Sequence, residues 1–269
     1  MAEIKLKANA KLNLFLNILN KRKDGYHNIK TIFQEVSLSD EIFITEITAG
    51  IKIVCDNPTI PTDKTNLVYK TADSIKRYSG IKKGVLIKIK KRIPVGAGLG
   101  GGSSDAAIVL RGLNKLWNLK LTKNRLTGIG KKIGADVPFF LYGGRCLGEG
   151  IGDKLTPLKI RKKEWYVIVK PQFEISTKSI YSRLTKIRKP DRIAKHINRL
   201  EDVVIPLYPA IKKIKNLLIE SGAEFSLMSG SGSCVFGVVK NKSIGEKVKN
   251  KMKKNGYKVW LAHSVKGSE

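Results

Sequence analysis

The chain has few of the residues that mark a secreted, disulfide-bonded or metal-binding protein. Only three of its 269 residues are cysteines, and Cys55, Cys146 and Cys234 show no Cys-x-x-Cys spacing. An odd number of isolated cysteines favours reduced thiols, so we predict a cytoplasmic protein without a disulfide framework. No cluster of histidines and cysteines has the spacing of a metal site, so we predict no metal held by such a cluster.

Long apolar runs are also missing. No stretch reaches the roughly 18 apolar residues that a membrane span requires, so we expect no membrane partner. The N-terminal segment has no apolar core or small-residue cleavage site of a signal peptide. Hydrophobic residues make up 42% of the chain, which suits one large globular unit or two domains.

Acidic residues are scarce. The chain has 22 Asp and Glu against 52 Lys and Arg, a net charge of +30. Such an excess is typical of nucleic-acid-binding proteins, but it also attracts anionic ligands such as ATP and diphosphates. The basic residues are scattered along the chain, and no RNA-binding aromatic motif or zinc finger accompanies them. We therefore expect no specific nucleic-acid partner and keep nucleic-acid binding as an alternative.

The chain does contain a conspicuous glycine-rich stretch, PVGAGLGGGSSDAA, from Pro94 to Ala107. It follows a strand-like segment, 85–93, and precedes an apolar segment with helical periodicity. Glycines let a ligand approach the backbone, and the free N–H groups and dipole of a helix N-terminus favour phosphate. We predict a cradle for nucleotide phosphates, in which Ser103 and Ser104 cap the helix or bind phosphate oxygens or the water shell of a metal ion.

Two familiar phosphate loops do not fit this stretch. Gly96 to Gly101 match G-x-G-x-x-G, but a dinucleotide-binding fold needs an acidic residue roughly 20 positions later. None occurs between Asp105 and Asp136. A Walker A loop needs a Lys before its Ser or Thr, and here the loop ends Gly-Gly-Ser-Ser. A flexible linker is disfavoured because periodic apolar segments bracket the glycines closely.

The N-terminal strand has an unusual polar face. Residues 5–16 alternate with period two, which places on one face Lys7, Asn9, Lys11, Asn13 and Phe15. A solvated face and a ligand-binding face explain this pattern equally well. The Asp24-Gly25 turn predicts a hairpin whose strands end near residue 20 and resume near 27, with Tyr26 and His27 at the turn exit.

Periodicity and capping residues predict the helices. We expect Thr62 or Asp63 to cap a helix over about 65–78, and Thr122 to cap one over about 122–133. Further helices are predicted over about 104–117, 206–220 and 243–255. From residue 159 onward the order β-α-α-β-β-α-β suits a ferredoxin-like layer, and the fold class is α+β.

One carboxylate, Asp136, lies in a strongly apolar stretch, IGADVPFF. A carboxylate buried there is costly without partners, and desolvation raises its pKa. Asp136 is either a helix N-cap with Pro138 in the first turn, a catalytic group, or both.

Four blocks, in chain order, resemble one family. The glycine loop resembles the ATP loop of the GHMP kinases, and its triple glycine followed by Ser-Ser-Asp-Ala-Ala is similar to that of the 4-diphosphocytidyl-2-C-methyl-D-erythritol kinases. The Asp-Gly-Tyr-His block narrows the resemblance to these kinases. The other blocks are Ala10–Leu16 with Lys21–His27, Gly134–Phe140 and Met228–Cys234. Ala97 departs from the pattern, since many members have glycine there.

The resemblance implies a two-domain GHMP kinase fold. Residues 1–158 would form an ATP-binding domain like ribosomal protein S5 domain 2, and residues 159–269 a ferredoxin-like substrate domain. The implied reaction is ATP- and Mg²⁺-dependent phosphorylation of the 2-hydroxyl of 4-diphosphocytidyl-2-C-methyl-D-erythritol, in the non-mevalonate isoprenoid pathway. The implied partner is that small molecule, bound by a monomer or homodimer.

The resemblance also assigns the site residues. Asp136 would be the general base, and Lys11 the cation that keeps it ionised and stabilises developing charge. Tyr26 and Tyr181 would sandwich the cytosine, His27 would bind its edge and Asn13 the erythritol. Asn66 would meet the adenine. The other assigned residues are Pro94, Val95, Gly96, Ala97, Gly98, Leu99, Gly100, Gly101, Gly102, Ser103 and Ser104 for ATP phosphates and Mg²⁺, and Gly230, Ser231 and Gly232 for substrate phosphate.

Two alternatives remain open at this point. Another GHMP kinase, with a mevalonate- or homoserine-type substrate, would share the glycine loop, Lys11 and Asp136. A basic nucleic-acid-binding protein with an S5-like fold would explain the charge, and its RNA binding would survive mutation of Asp136 and of the glycine loop.

Overall fold

A computed structural model describes residues 3–184 and 196–267, which contain ten strands and eight helices. The strands are β1 (Glu3–Lys21), β2 (His27–Ile47), β3 (Ile51–Cys55), β4 (Gly84–Lys90), β5 (Arg145–Glu149), β6 (Lys154–Leu158), β7 (Trp165–Lys170), β8 (Phe225–Met228), β9 (Val235–Val239) and β10 (Lys258–His263). The helices are α1 (Leu67–Ser79), α2 (Gly101–Leu116), α3 (Lys123–Ile133), α4 (Val137–Tyr142), α5 (Thr177–Ser182), α6 (Glu201–Leu207), α7 (Ala210–Glu220) and α8 (Lys242–Lys254).

The first of two compact units comprises the described residues of Met1–Ala10, Ser39–Ile93 and Gly100–Tyr142. In it, Glu41–Ile47 of β2 pairs antiparallel with β4, and β4 pairs in parallel with β3. Ile87 and Ile89 of β4 are buried whereas Lys88 and Lys90 are exposed, the alternation expected of a strand with one covered face. Apolar residues of α1 to α4 complete this core.

The helix ends of the first unit refine the predictions. α3 begins after Thr122, whose hydroxyl accepts from Arg125 N, as predicted. The predicted cap of α1 was wrong, because Asn66 rather than Thr62 or Asp63 accepts from Val68 N. α2 begins at Gly101, three residues before the predicted start, with the left-handed Gly100 as its cap. Ser103 and Ser104 therefore lie inside the first turn and do not cap the helix.

The second unit comprises the described residues of Lys11–Leu38, Pro94–Leu99 and Gly143–Glu269. Residues 31–34 of β2 pair with β5, and β5 pairs with β6. A separate antiparallel sheet has the order β10-β7-β9-β8, and helices α5 to α8 follow the same segment of chain. Numbered within this segment the order is 4-1-3-2, the ferredoxin-like arrangement that the sequence predicted.

Two predictions for the second unit change in detail. The single helix expected over 206–220 is divided at Tyr208 and Pro209 into α6 and α7, and Pro206 lies inside α6. Both helices pack on one core, since Val204, Ile211, Ile214 and Leu218 are all buried there. The β1–β2 hairpin is confirmed, with strands that end at Lys21 and resume at His27. Among the described residues, no helix combines the length and apolarity needed to cross a bilayer.

Candidate active site

Two polar residues of β1 are buried in the second unit. Lys11 is 5% exposed and Asn13 is 1% exposed. Lys11 Nζ donates to Asn13 Oδ1 at 2.7 Å, Asn13 Nδ2 donates to Thr31 Oγ1 at 2.8 Å, and the Thr31 hydroxyl donates to Phe15 O at 2.6 Å. This chain of hydrogen bonds fixes the orientation of the Asn13 amide. The solvated-face interpretation is therefore wrong for Lys11 and Asn13.

The Lys11 ammonium lies over an aromatic ring, 5.3 Å from the centroid of Phe33. Burying an ammonium is costly, and a ring face and a hydrogen bond both offset that cost. The backbone of the same residue is also held, because Lys11 N donates to Leu99 O at 2.9 Å. Thr31 and Phe33 were missed from the sequence, although both lie on the buried face of β2 that His27 begins.

The first part of the glycine loop, Pro94–Leu99, packs on the Ser229–Cys234 turn in the second unit. Gly98 has φ of 73°, and a Cβ placed on it would lie only 2.1 Å from Ser229 O. Ser229 Oγ donates to Gly98 O at 3.0 Å, and Cys234 N donates to Ala97 O at 3.2 Å. A residue with a side chain cannot occupy position 98 unless one of the two backbones moves.

The same turn reaches the polar residues of β1. A Cβ placed on Gly230 would lie 3.4 Å from Asn13 Oδ1 and 3.5 Å from Lys11 Nζ. Three segments predicted from separate motifs are thus adjacent in the second unit: the N-terminal strand, the start of the glycine loop and the C-terminal glycine turn. Ser231 of this turn shares a 2.7 Å hydrogen bond with Thr177.

The second part of the glycine loop, Gly100–Ser104, forms the N-terminal turn of α2 in the first unit. Ser104 Oγ is buried, and no hydrogen-bond partner for it occurs among the described residues. A buried hydroxyl without a partner at a helix N-terminus is suited to an oxygen or metal ligand. A Cβ placed on Gly134 would lie 3.8 Å from Ser103 Oγ, so the start of α2 adjoins the segment that leads to Asp136.

A buried ionic cluster, not predicted from the sequence, flanks this turn. Lys91 Nζ lies 2.5 Å from Asp40 Oδ2 and 2.8 Å from Asp105 Oδ2. Asp40 Oδ1 also accepts from the backbone N–H groups of Arg92 and Ile93, at 2.5 and 2.8 Å. The cluster therefore fastens residues 91–93, just before the loop, to Asp105, which follows the first turn of α2.

Burial and the attraction between opposite charges act against each other in this cluster. Burial raises the pKa of Asp105, an effect that the Lys91 ammonium opposes. The two carboxylates in turn raise the pKa of Lys91, overcoming the burial that by itself lowers it. Removing one partner of such a buried cluster typically costs about 3–5 kcal/mol, because a charge is left uncompensated.

Asp136 immediately precedes α4, and Pro138 is the second residue of that helix. The first turn was therefore located correctly from the sequence. The side chain of Asp136 is only partly buried, whereas Val137 to Leu141 are buried. A partly exposed carboxylate beside an apolar helix is accessible to a ligand.

His27 and Tyr181, two of the residues assigned to the cytosine, lie together in the second unit. The His27 ring is 5.4 Å from the Tyr181 ring, centroid to centroid. His27 is 5% exposed, and neither ring nitrogen has a hydrogen-bond partner within the described part of the chain. Burial, with a smaller contribution from Lys21, lowers the pKa of His27. The neutral ring offers one donor and one acceptor, which suits the edge of a base.

Tyr26, assigned to the cytosine, and Asn66, assigned to the adenine, differ in exposure. Tyr26 lies at the hairpin turn and is 60% exposed. Asn66 is buried and structural in part, since its amide caps α1 and donates to Pro61 O at 2.5 Å. A Cβ placed on Gly102 would lie 3.7 Å from Leu67 Cδ1, so the start of α1 adjoins the glycine loop. The roles of Tyr26 and Asn66 stay predictions.

Comparison with known proteins gives consistent matches along the chain. The family model for the GHMP kinases N terminal domain matches residues 66–144, and that for the GHMP kinases C terminal matches residues 181–258. The chain is 45% identical over 259 residues to the 4-diphosphocytidyl-2-C-methyl-D-erythritol kinase of Acetivibrio thermocellus, which covers 90% of this chain and 92% of the relative. The enzyme of that name from Enterococcus faecalis is 40% identical over 98% of this chain and 100% of its own.

A solved structure agrees with these matches. A crystal structure of 4-(cytidine 5'-diphospho)-2C-methyl-D-erythritol kinase superposes with a TM-score of 0.87 at 30% identity. The superposition covers 99% of this chain and 100% of the other. The fold predicted from the sequence is thereby confirmed.

Proposed function

Since the chain belongs to the family of 4-diphosphocytidyl-2-C-methyl-D-erythritol kinases, within the GHMP kinases, we propose that it phosphorylates the 2-hydroxyl of 4-diphosphocytidyl-2-C-methyl-D-erythritol with ATP. It is a small-molecule kinase, and the reaction belongs to isoprenoid precursor synthesis. The contact between His27 and Tyr181 is the observation that supports this choice of acceptor. A site that recognises a nucleobase distinguishes a cytidyl substrate from mevalonate or homoserine.

The glycine loop and the N-terminus of α2 are proposed to hold the ATP phosphates. The buried Ser104 hydroxyl, which has no partner among the described residues, fits an oxygen ligand at this helix N-terminus. The hydroxyls of Ser103 and Ser104 would also hold Mg²⁺, which neutralises phosphate charge when bound. The buried cluster of Asp40, Lys91 and Asp105 keeps the ends of this loop in a fixed geometry.

Asp136 is proposed as the general base. Its carboxylate would accept the proton of the 2-hydroxyl as the oxygen attacks the γ-phosphorus. Lys11 would stabilise the negative charge that develops on the transferred phosphoryl group. The hydrogen bond to Asn13 and the Phe33 ring hold the ammonium in one orientation before the reaction. Asn13 would position the erythritol, and the Gly230–Ser233 turn would contact substrate phosphate.

The domain and cellular assignments are also proposals. Residues 1–158 would be the ATP-binding domain and residues 159–269 the substrate domain. A cytoplasmic location and a monomer or homodimer remain predictions, as does the absence of a specific nucleic-acid partner.

An ADP-release assay tests the proposed function. With ATP and Mg²⁺, we expect turnover with 4-diphosphocytidyl-2-C-methyl-D-erythritol and none with mevalonate or homoserine. Turnover with either of the other acceptors would overturn the assignment of the acceptor and leave only the kinase reaction. If folded protein that binds ATP releases no ADP with any of the three compounds, none of them is the acceptor.

Replacing Tyr181 by Ala is expected to weaken binding of the cytidyl substrate selectively. Loss of one base-stacking ring typically costs about 1–3 kcal/mol, so KM for that substrate should rise about 5- to 150-fold. KM for ATP should change little, because the residue is assigned to the acceptor alone. Steady-state kinetics with each substrate varied in turn measure both values.

Tyr181→Phe is the matched control, since it keeps the ring and removes only the hydroxyl. Its KM for the cytidyl substrate should stay near that of the wild type. If Tyr181→Ala also leaves that KM unchanged, Tyr181 does not stack on the cytosine.

A further inference from the structure

The segment Ile197–Glu201, to which no role has yet been given, is joined to the strand that carries Lys11. Leu16 N donates to Ile197 O at 2.7 Å, and Arg199 N donates to Leu16 O at 2.9 Å. These two bonds form a parallel bridge that brackets Asn198. Asn198 is therefore fixed in position beside β1, and the residue is only 3% exposed.

The Asn198 amide binds the C-terminal glycine turn. Its Nδ2 donates to Met228 O at 2.8 Å and to Gly230 O at 2.7 Å, and its Oδ1 accepts from Leu200 N at 3.0 Å. Both amide hydrogens and the amide oxygen are thus used. The Asn198 side chain therefore restricts the position of the Gly230 carbonyl.

Glu201 completes the attachment from the other side. Its Oε1 accepts from Met228 N at 2.7 Å, and its Oε2 pairs with Lys215 Nζ. Three backbone groups at the end of β8 are therefore bound by side chains of one short segment. A buried backbone group that loses its partner is costly, so these contacts hold the chain where it leaves the sheet.

The turn held in this way is adjacent to the groups proposed to act on the phosphates. Gly230 lies against Asn13 and Lys11, and Ser229 donates to Gly98 O at 3.0 Å. A shift of the Gly230 carbonyl would therefore be transmitted both to the Lys11 ammonium and to the start of the glycine loop. Such misplacement, by about 1 Å, can lower a rate by about 100-fold.

We propose that Asn198 is a positioning residue for phosphoryl transfer: its amide holds the Gly230 turn in register with Lys11, Asn13 and the glycine loop. It touches neither substrate and acts through the turn. The proposal rests on the proposed kinase function for its kinetic consequence, whereas the attachment of the turn is independent of it.

Asn198→Asp tests this inference with almost no change of shape. The new carboxylate oxygen would face the carbonyl oxygens of Met228 and Gly230 and repel both. We expect kcat to fall about 10- to 100-fold, while KM for ATP and for the acceptor each change by no more than about twofold. Backbone amides of residues 229–234 should exchange with deuterium faster than in the wild type, and distant amides should not.

Asn241→Asp is the matched control for charge. Asn241 caps the exposed start of α8, where Asp is an equally good cap, so its kinetics and exchange should match the wild type. If Asn198→Asp does not fold, Asn198→Ala removes the same donors without repulsion and should show the same pattern more weakly. Either variant with wild-type kcat and wild-type exchange overturns the proposal.

Two further outcomes separate the proposal from its alternatives. A lower melting temperature with unchanged kcat per folded molecule would make Asn198 merely structural and overturn its role in transfer. If the wild type phosphorylates none of the acceptors, the proposed function fails, and the exchange experiment alone decides whether Asn198 holds the turn.

Discussion

Asp136→Asn is expected to lower kcat by about 100- to 10,000-fold, the usual contribution of a general base. An amide of the same shape cannot take the hydroxyl proton at neutral pH, so the barrier to attack on the γ-phosphorus rises. The side chain is partly exposed just before α4, and the apolar residues that follow carry the packing of that helix. Initial rates and ATP binding by calorimetry should show lost turnover with affinity retained.

The control for this variant is Asp73→Asn. Asp73 pairs with Arg77 on the surface of α1, so the same chemical change there should leave kcat unaltered. Circular dichroism and thermal melting should show both variants folded. Near-normal turnover in Asp136→Asn would show that Asp136 is not the base. Unfolding could only lower the turnover, so it could not produce that result.

Gly98→Ala should damage both stability and activity. A Cβ on Gly98 would lie 2.1 Å from Ser229 O and 2.9 Å from Gly232 O, and φ is 73°, where alanine is strained. Both neighbours are backbone atoms, so the loop and the turn must separate. We expect the free energy of unfolding to fall by about 3 kcal/mol and kcat/KM for ATP by about 100-fold. Urea unfolding and steady-state kinetics measure the two effects.

Gly128→Ala provides the comparison. Gly128 lies within α3, and a Cβ placed there would meet no atom within 4 Å. Alanine favours the helix over glycine by about 1 kcal/mol, so this variant should be as stable as the wild type or slightly more stable, with unchanged kinetics. If Gly98→Ala behaved in the same way, the close approach of the loop to Ser229 would not restrict position 98.

Local signals in the sequence predicted much of this architecture. The β1–β2 turn, the Thr122 cap and the strand, loop and helix around the glycines each depend on a few adjacent residues. The start of α2 was misplaced because glycines disfavour helix, whereas tertiary contacts decide here: a Cβ on Gly101 would lie 3.1 Å from Ile93. The division of α6 from α7 falls at Tyr208, which has φ of −133° and precedes Pro209, because the residue before a proline is disfavoured in the helical region.

The buried polar contacts could not be predicted in this way. Asp40, Lys91 and Asp105 are far apart in the chain, and each reads as an ordinary surface charge until the fold brings them together. The same holds for Asn198, which follows a basic stretch and pairs with a turn 30 residues later. Lys11 and Asn13 were placed on one face by periodicity, but only the segments covering β1 decide that this face is buried.

The ionic cluster beside the glycine loop has an evolutionary consequence. Changing Lys91 alone would leave two buried carboxylates without their shared cation. Changing Asp40 alone would release two backbone N–H groups and leave the ammonium with one of its two carboxylates. The energetic effects of such changes are not additive, so we expect the three positions to change together or not at all. Descendants of this chain can replace the cluster by an apolar set only through unstable intermediates, which makes its loss rare even though a well-packed replacement could be equally stable.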